Sequence, residues 1–299
     1  MCHTPESDFW PVSRVAVIGM GLIGGSIAWA IRDRLLAKDL VVYDANPLVR
    51  NQVESSALGC VVSASAEEAV RGAQLILLAV PPGAIEPVLR EIRPALDPKA
   101  LVMDTASVKV PVVQLLQEIL AGKAHWAASH PMAGSEKSGF EAAHGRLFDG
   151  AVAIVCPEPG LPREFRRLVT LFWEALGCRV FFLGAEVHDR WVAQVSHFPH
   201  LLAAALVRWV DREALAIAGP GFRDSTRIAA SCPALWKEIL WWNRKSLVEA
   251  LDTFLEELTL VRQALESSEC DQLERLLTEA SGIRQALETG RWPRTGKEH

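Results

Sequence analysis

The chain has 299 residues, half of them hydrophobic and 22% charged, with a formal net charge of −5. That length suits one large domain or two ordinary ones, and the balance is that of a soluble globular protein. The acidic excess weighs against nucleic acid or an anionic membrane surface as a partner, since both call for a basic face.

The first residues, "MCHTPESDFWPVSR", lack the apolar core of a signal peptide. The six cysteines are scattered, with neither a CxxC pair nor metal-ligand spacing, and read as small buried hydrophobes in a reducing compartment. Two uncharged stretches, 15–31 and 191–207, fall short of the roughly 20 apolar residues of a spanning helix. Glycines interrupt the first, and two histidines and a proline the second. A cytoplasmic protein with no membrane span is expected.

In chain order, "RVAVIG" (14–19) reads as a first strand and 23–36 as a helix. "LVVYD" (40–44), "QLILLAV" (74–80), "LVMDTA" (101–106) and "HWAAS" (125–129) read as further strands, with helices at 84–92 and 108–120. "AVAIVC" (151–156) and "RVFFL" (179–183) add two more around an amphipathic helix near 163–176. This alternation predicts βαβ units in a mainly parallel sheet, an α/β Rossmann-like domain over 1–184. From 185 the pattern turns wholly helical, with breaks at 219–221 and 232–233 and a long amphipathic helix at 244–266. Residues 185–299 are expected to form a second, all-helical domain.

"VAVIGMGLIGGS" places G-x-G-x-x-G at Gly19, Gly21 and Gly24, directly after a strand and opening a helix. In that context the glycines allow a tight turn, close backbone approach to a pyrophosphate and close helix–strand packing. Asp44 falls 20 residues after Gly24, where a carboxylate accepts from a ribose 2′-hydroxyl and repels a 2′-phosphate. NAD is the expected cofactor. The alternative is a plain tight turn followed by a polar loop.

His130, in "SHPMAGSEKSGF" (129–140), closes a strand at the edge where open α/β sheets bind ligands. It is either a packed core histidine or a base, the residue type best suited to take a proton near neutral pH. Ser107 also ends a strand and could cap the helix after it. His188, His197 and His200 fall close together, but Pro199 separates two of them and no carboxylate or thiolate completes a set; no metal is expected.

Five stretches carry a resemblance: the glycine motif, "DTASVK" (104–109), "SHPMAGSEKSGF", "VSHFPHLLAAAL" (195–206) and "GFRDSTRIAAS" (221–231). In this order and spacing the chain resembles the prephenate/arogenate dehydrogenase family of tyrosine biosynthesis. The resemblance implies a modified dinucleotide-binding domain, a helical domain that forms a homodimer, and no fused mutase or regulatory domain. It implies NAD-dependent oxidative decarboxylation of prephenate or arogenate, with tyrosine as a possible competitive inhibitor. His130 matches the family's base, and Ser107 a serine that bonds to it beside the nicotinamide. Arg227 matches an arginine that grips the ring carboxylate, with Asp224 orienting it. His188, His200, Ser135 and Glu136 match substrate-pocket positions; Trp236 matches an aromatic on the pocket or dimer side, although among ten tryptophans any one is core more often than site. Gly19, Gly21, Leu22, Ile23, Gly24, Asp44, Val80 and Ser107 are the expected cofactor contacts. Two other readings are a β-hydroxyacid dehydrogenase or imine reductase of similar architecture, and an NAD-binding sensor without catalysis.

Overall fold

The computed structural model describes residues 12–134, 137–266 and 270–289. The chain divides into two compact units, Met1–Arg244 and Lys245–His299.

The first unit is built on one sheet of eight strands. Its first part runs β1 (Val12–Ile18), α1 (Leu22–Asp33), β2 (Ala37–Tyr43), α2 (Pro47–Ser55), β3 (Val61–Val62), α3 (Ala66–Val70), β4 (Leu75–Leu78) and α4 (Pro82–Ile92). Then come β5 (Leu101–Asp104), α5 (Val110–Leu120), β6 (His125–Pro131), β7 (Val152–Pro157), α6 (Arg163–Ala175) and β8 (Arg179–Phe182). The spatial order is β3-β2-β1-β4-β5-β6-β7-β8, and among the described residues only β6 and β7 pair antiparallel. Strand order therefore reverses between β1 and β4, the topological switch point at which such sheets bind ligands.

Side-chain alternation along the strands builds a core on each face of the sheet. Along β1, Val15 and Val17 join one cluster and Ala16 and Ile18 the other. β4 and β5 are buried throughout, as expected for parallel strands covered by helices on both sides. The first helix stops at Asp33, short of the expected 36, because Leu35 adopts φ 54° and turns the chain into β2 at Ala37. The elements α2, β3 and α3 were not foreseen. α2 buries only Val53 and β3 is a two-residue edge strand, so neither imposes a hydrophobic period on the sequence.

After β8 the unit continues as helices: α7 (Ala185–Val192), α8 (Phe198–Trp209), α9 (Pro220–Thr226) and α10 (Pro233–Trp242). Both expected breaks are helix starts, with prolines in the first turn of α9 and α10, where a missing N–H costs nothing. Between α7 and α8, Ala193–His197 winds as a π-helical turn. Pro199, in the first turn of α8, has no N–H to continue an α-helical ladder, and the wider turn accommodates it.

The long helix α11 spans Arg244–Glu266, as the sequence pattern predicts, and α12 spans Cys270–Thr289. Apart from Arg244, both belong to the second unit. Val248, Leu251, Leu255, Leu258 and Leu265 of α11 and Leu277, Ile283 and Leu287 of α12 are exposed. Among the described residues no helix is long and apolar enough to cross a membrane.

Candidate active site

The carboxyl ends of β1 and β4 hold the glycine-rich turn. Gly19 adopts φ 92°, and a Cβ there would lie 2.4 Å from the Ala79 carbonyl oxygen. At Gly24 a Cβ would lie 1.9 Å from the Gly19 carbonyl oxygen, so helix and turn touch only because that carbon is missing. Gly21 is the opposite case, with nothing within 4 Å of its absent Cβ. It caps α1 without a side-chain hydrogen bond, leaving the helix's first N–H groups to an outside acceptor. This cradle fits a dinucleotide pyrophosphate.

Asp44, at the end of β2, accepts from Met20 N at 2.7 Å through Oδ2 and from Asn46 N at 2.8 Å through Oδ1. It thereby ties the glycine turn to the second strand. Each carboxylate oxygen keeps a lone pair for a further donor. Arg50 is turned back onto the Asp44 carbonyl oxygen at 2.7 Å.

A cavity of about 390 Å³ opens beside this turn, lined by Gly21, Leu22, Ile23, Val80 and Ser107. The structure thus brings these expected cofactor contacts together, while Gly19 and Gly24 shape the turn behind them. Thr105, Pro81, Pro82, Ala133 and Gly134 complete the sheet side, and Leu235, Trp236 and Ile239 of α10 form the opposite wall. Trp236 both packs against the core and lines the cavity, so the two readings of it meet at one side chain.

His130 lies on β6, three residues before Ala133, and is 6% exposed. Its Nδ1 lies 2.9 Å from Nε2 of His188, whose Nδ1 lies 2.8 Å from Oδ1 of Asp189. The Asp189 carboxylate also accepts from Lys109 N at 2.7 Å and Val110 N at 2.8 Å. It so caps α5, whose own cap residue Lys109 supplies no side-chain bond. The Lys109 ammonium pairs with Asp104 Oδ2 and donates to the Ser129 carbonyl oxygen at 2.8 Å. Asp104 Oδ1 in turn accepts from Ser129 N at 3.1 Å. A wholly buried ion pair thus clamps the residue before His130.

Burial, above all, pushes the His130 imidazole well below its ordinary pKa, and His188, Lys109 and His197 add in the same direction. Burial also lowers His188, opposed by its bond to Asp189. His197 is pushed down to about 4, mainly by burial. Its Nδ1 faces Asn243 Nδ2 at 3.0 Å. Both neutral imidazoles at His130 and His188 follow from these surroundings.

Two expectations need correction. Among the described residues no hydrogen bond joins Ser107 to His130; Nδ1 of that ring faces His188, and Ser107 lines the cavity. His188, read as a substrate contact, has no exposed surface and both ring nitrogens engaged inside the protein. His200 is buried and stacks on Trp236 with ring centroids 3.4 Å apart, so it stands against a cavity wall. Burial lowers its pKa. Arg227 is exposed in a 3-10 turn directly after α9, which Thr226 (φ −108°, ψ 0°) leads into. Ser135 and Glu136 lie outside the described residues. Among the described residues no group of three or more His, Cys, Asp or Glu side chains is arranged to hold a metal ion.

A glycine cradle at a switch point, an acid on the second strand and a buried imidazole on the strand whose following loop lines the cavity define a dinucleotide-binding oxidoreductase. The particular family follows from comparison with known proteins. The family model described as prephenate dehydrogenase, nucleotide-binding domain, matches residues 27–182, and that described as prephenate dehydrogenase, dimerization domain, matches 184–279. The cyclohexadienyl dehydrogenase of Zymomonas mobilis is 35% identical over 92% of this chain and 96% of its own length. Prephenate dehydrogenase from A. aeolicus, solved with hydroxyphenyl propionate and NAD+, superposes with a TM-score of 0.85 at 28% identity, over 92% of this chain and 98% of that one. Arogenate dehydrogenase from Synechocystis gives 0.80 at 26% identity, over 92% and 99%. The chain belongs to the prephenate dehydrogenase family. Membership sets aside the β-hydroxyacid dehydrogenase and imine reductase reading.

Proposed function

We propose that the protein is an NAD-dependent dehydrogenase that oxidatively decarboxylates prephenate, arogenate or both, in tyrosine biosynthesis. The observation that carries this reading is the single cavity shared by the glycine turn, Ser107 and the loop that follows His130. The strand that carries His130 leads directly into that loop, so base and cofactor cradle sit on elements of one sheet.

In this reading His130 takes the proton of the ring C4 hydroxyl, and the C4 hydrogen departs as hydride. NAD, when bound, accepts that hydride. The bond from C1 to its carboxylate then gives its electron pair to the ring, and CO2 leaves. Aromatisation makes the step irreversible. Arg227 holds the ring carboxylate, with a planar fork suited to two-point contact. Since too firm a grip would oppose loss of CO2, positioning rather than ground-state stabilisation is its contribution. Ser107 lines the cavity where the reacting ring and nicotinamide would meet, and is assigned to orienting them. Trp236 and His200 form the substrate side, and Ser135 and Glu136 are assigned to substrate binding on the resemblance alone. Prephenate and arogenate share the reacting ring and differ only in a keto or ammonium side chain.

The dinucleotide-binding part is assigned to residues 1–184 and the helical part to 185–299. The exposed apolar residues of α11 and α12 suit a homodimer, in keeping with the match to a dimerization domain. Tyrosine, which retains the side chain of arogenate, is assigned as a competitor at the same pocket, and the cytoplasm as the compartment.

The test is His130→Asn. A general base contributes roughly 10²–10⁴-fold in rate, so turnover should fall by that order while NAD affinity stays within about twofold. Near-normal turnover would refute the assignment and leave His130 a core residue.

A further inference from the structure

We propose that Asp189 and His188 are positioning residues for the reaction. Asp189 fixes the tautomer of His188, His188 fixes the tautomer of His130, and Nε2 of His130 is left as the lone pair that receives the substrate proton. The proposal rests on His130 being the base, and it replaces a substrate-binding role for His188.

Each step is forced by donor and acceptor chemistry. Oδ1 of Asp189 already accepts from Lys109 N, and a carboxylate oxygen accepts only. At 2.8 Å from it, His188 must therefore carry its hydrogen on Nδ1. A neutral His188 then presents a bare Nε2. Only a donor can sit opposite a bare nitrogen at 2.9 Å, so His130 carries its hydrogen on Nδ1. A neutral His130 keeps Nε2 free of hydrogen. Both rings are held neutral by burial, and Asp189 is itself fixed by two backbone N–H groups at the start of α5.

The chain also answers an energetic difficulty. Burial, the neighbouring His188, the Lys109 ammonium and His197 all oppose positive charge on His130. Lys109 is paired with Asp104, and Asp104 and Asp189 are the carboxylates that act on His188. When the substrate O–H bond breaks and an N–H bond forms at Nε2, the new charge polarises the Nδ1–H bond towards His188. That ring is backed by the Asp189 carboxylate, so the charge is met from inside the protein.

The first experiment is the imidazole nitrogen spectrum of the wild-type protein, labelled with 15N-histidine and saturated with NAD. The expected result is a hydrogen on Nδ1 and a bare Nε2 for both His130 and His188. A hydrogen on Nε2 of His130 at neutral pH would overturn the proposal. The second is His188→Gln, whose amide oxygen can still accept from His130 but is a weaker proton acceptor than an imidazole backed by a carboxylate. We expect kcat to fall about tenfold or more, the acid limb of kcat/KM to move to lower pH, and KM to stay within about twofold. A raised KM with an unmoved limb would return His188 to substrate binding and overturn the relay. His130→Asn separates the two failures. If it retains turnover, the base assignment fails; if it loses turnover while the limb of His188→Gln stays in place, the relay alone fails.

Discussion

Lys109→Met removes the ammonium from a site where both it and Asp104 are wholly buried. Two interactions go at once, the ion pair with Asp104 Oδ2 and the 2.8 Å bond to the Ser129 carbonyl oxygen. Asp104 keeps Ala106 N at 2.8 Å and Ser129 N at 3.1 Å, so the stranded carboxylate is partly satisfied by backbone. Breaking a buried pair from one side costs about 3–5 kcal/mol, and the two remaining donors place this case near the lower end. For a chain of this size each kcal/mol moves Tm by roughly 2–4 °C, which gives a drop of about 6–12 °C. Urea unfolding followed by tryptophan fluorescence, with ten tryptophans as reporters, would read the loss as a lower midpoint. Adding Asp104→Asn takes away the stranded charge, so the double variant should be less destabilised than the sum of the two single ones. A Lys109→Met midpoint within about 0.5 kcal/mol of wild type would refute the reasoning, because a surface-like lysine behaves that way.

Three further outcomes are expected. Gly24→Ala drives a Cβ against the Gly19 carbonyl oxygen, 1.9 Å away, so the turn must move; NAD affinity, read by fluorescence titration, should weaken about tenfold or more, equivalent to ~1.4 kcal/mol. Asp44→Ser should narrow the preference for NAD over NADP, since it removes the charge that repels a 2′-phosphate, and an unchanged ratio of the two kcat/KM values would count against the ribose assignment. Stability should fall with acid. The folded pKa values of His130, His188, His197 and His200 all lie below the unfolded value of 6.5. The unfolded chain therefore binds more protons below about pH 6.5, and each site costs up to about 1.4 kcal/mol per pH unit down to its folded pKa, about 4 for His197. Thermal melts from pH 7.5 downwards would check this, and a flat Tm to pH 5 would contradict it.

The sheet and the cofactor turn were legible because their physics is local. Parallel strands buried on both faces read as apolar runs such as "LILL", and glycines before a helix leave few alternatives. The stretch between β2 and β4 was not legible, since α2 buries only Val53 and α3, though well buried, is five residues long, too short to show a helical period. Around His130 the limit was different in kind. Lys109 N and the Asp189 carboxylate that meets it are 80 residues apart in sequence, and no spacing rule connects them. Asp189 also follows His188 directly, and neighbours on a helix are ordinarily not read as facing each other. The assignment of His188 to substrate came from its position in a motif, whereas its partners are set by three elements that meet only in the fold.

The most direct test of the central claim is NADH formation by the purified protein with NAD, offering prephenate and arogenate in parallel. Turnover with at least one of them, abolished by His130→Asn, is the predicted result. Silence with both, from a folded protein that binds NAD, would contradict the account and favour a binding role without catalysis.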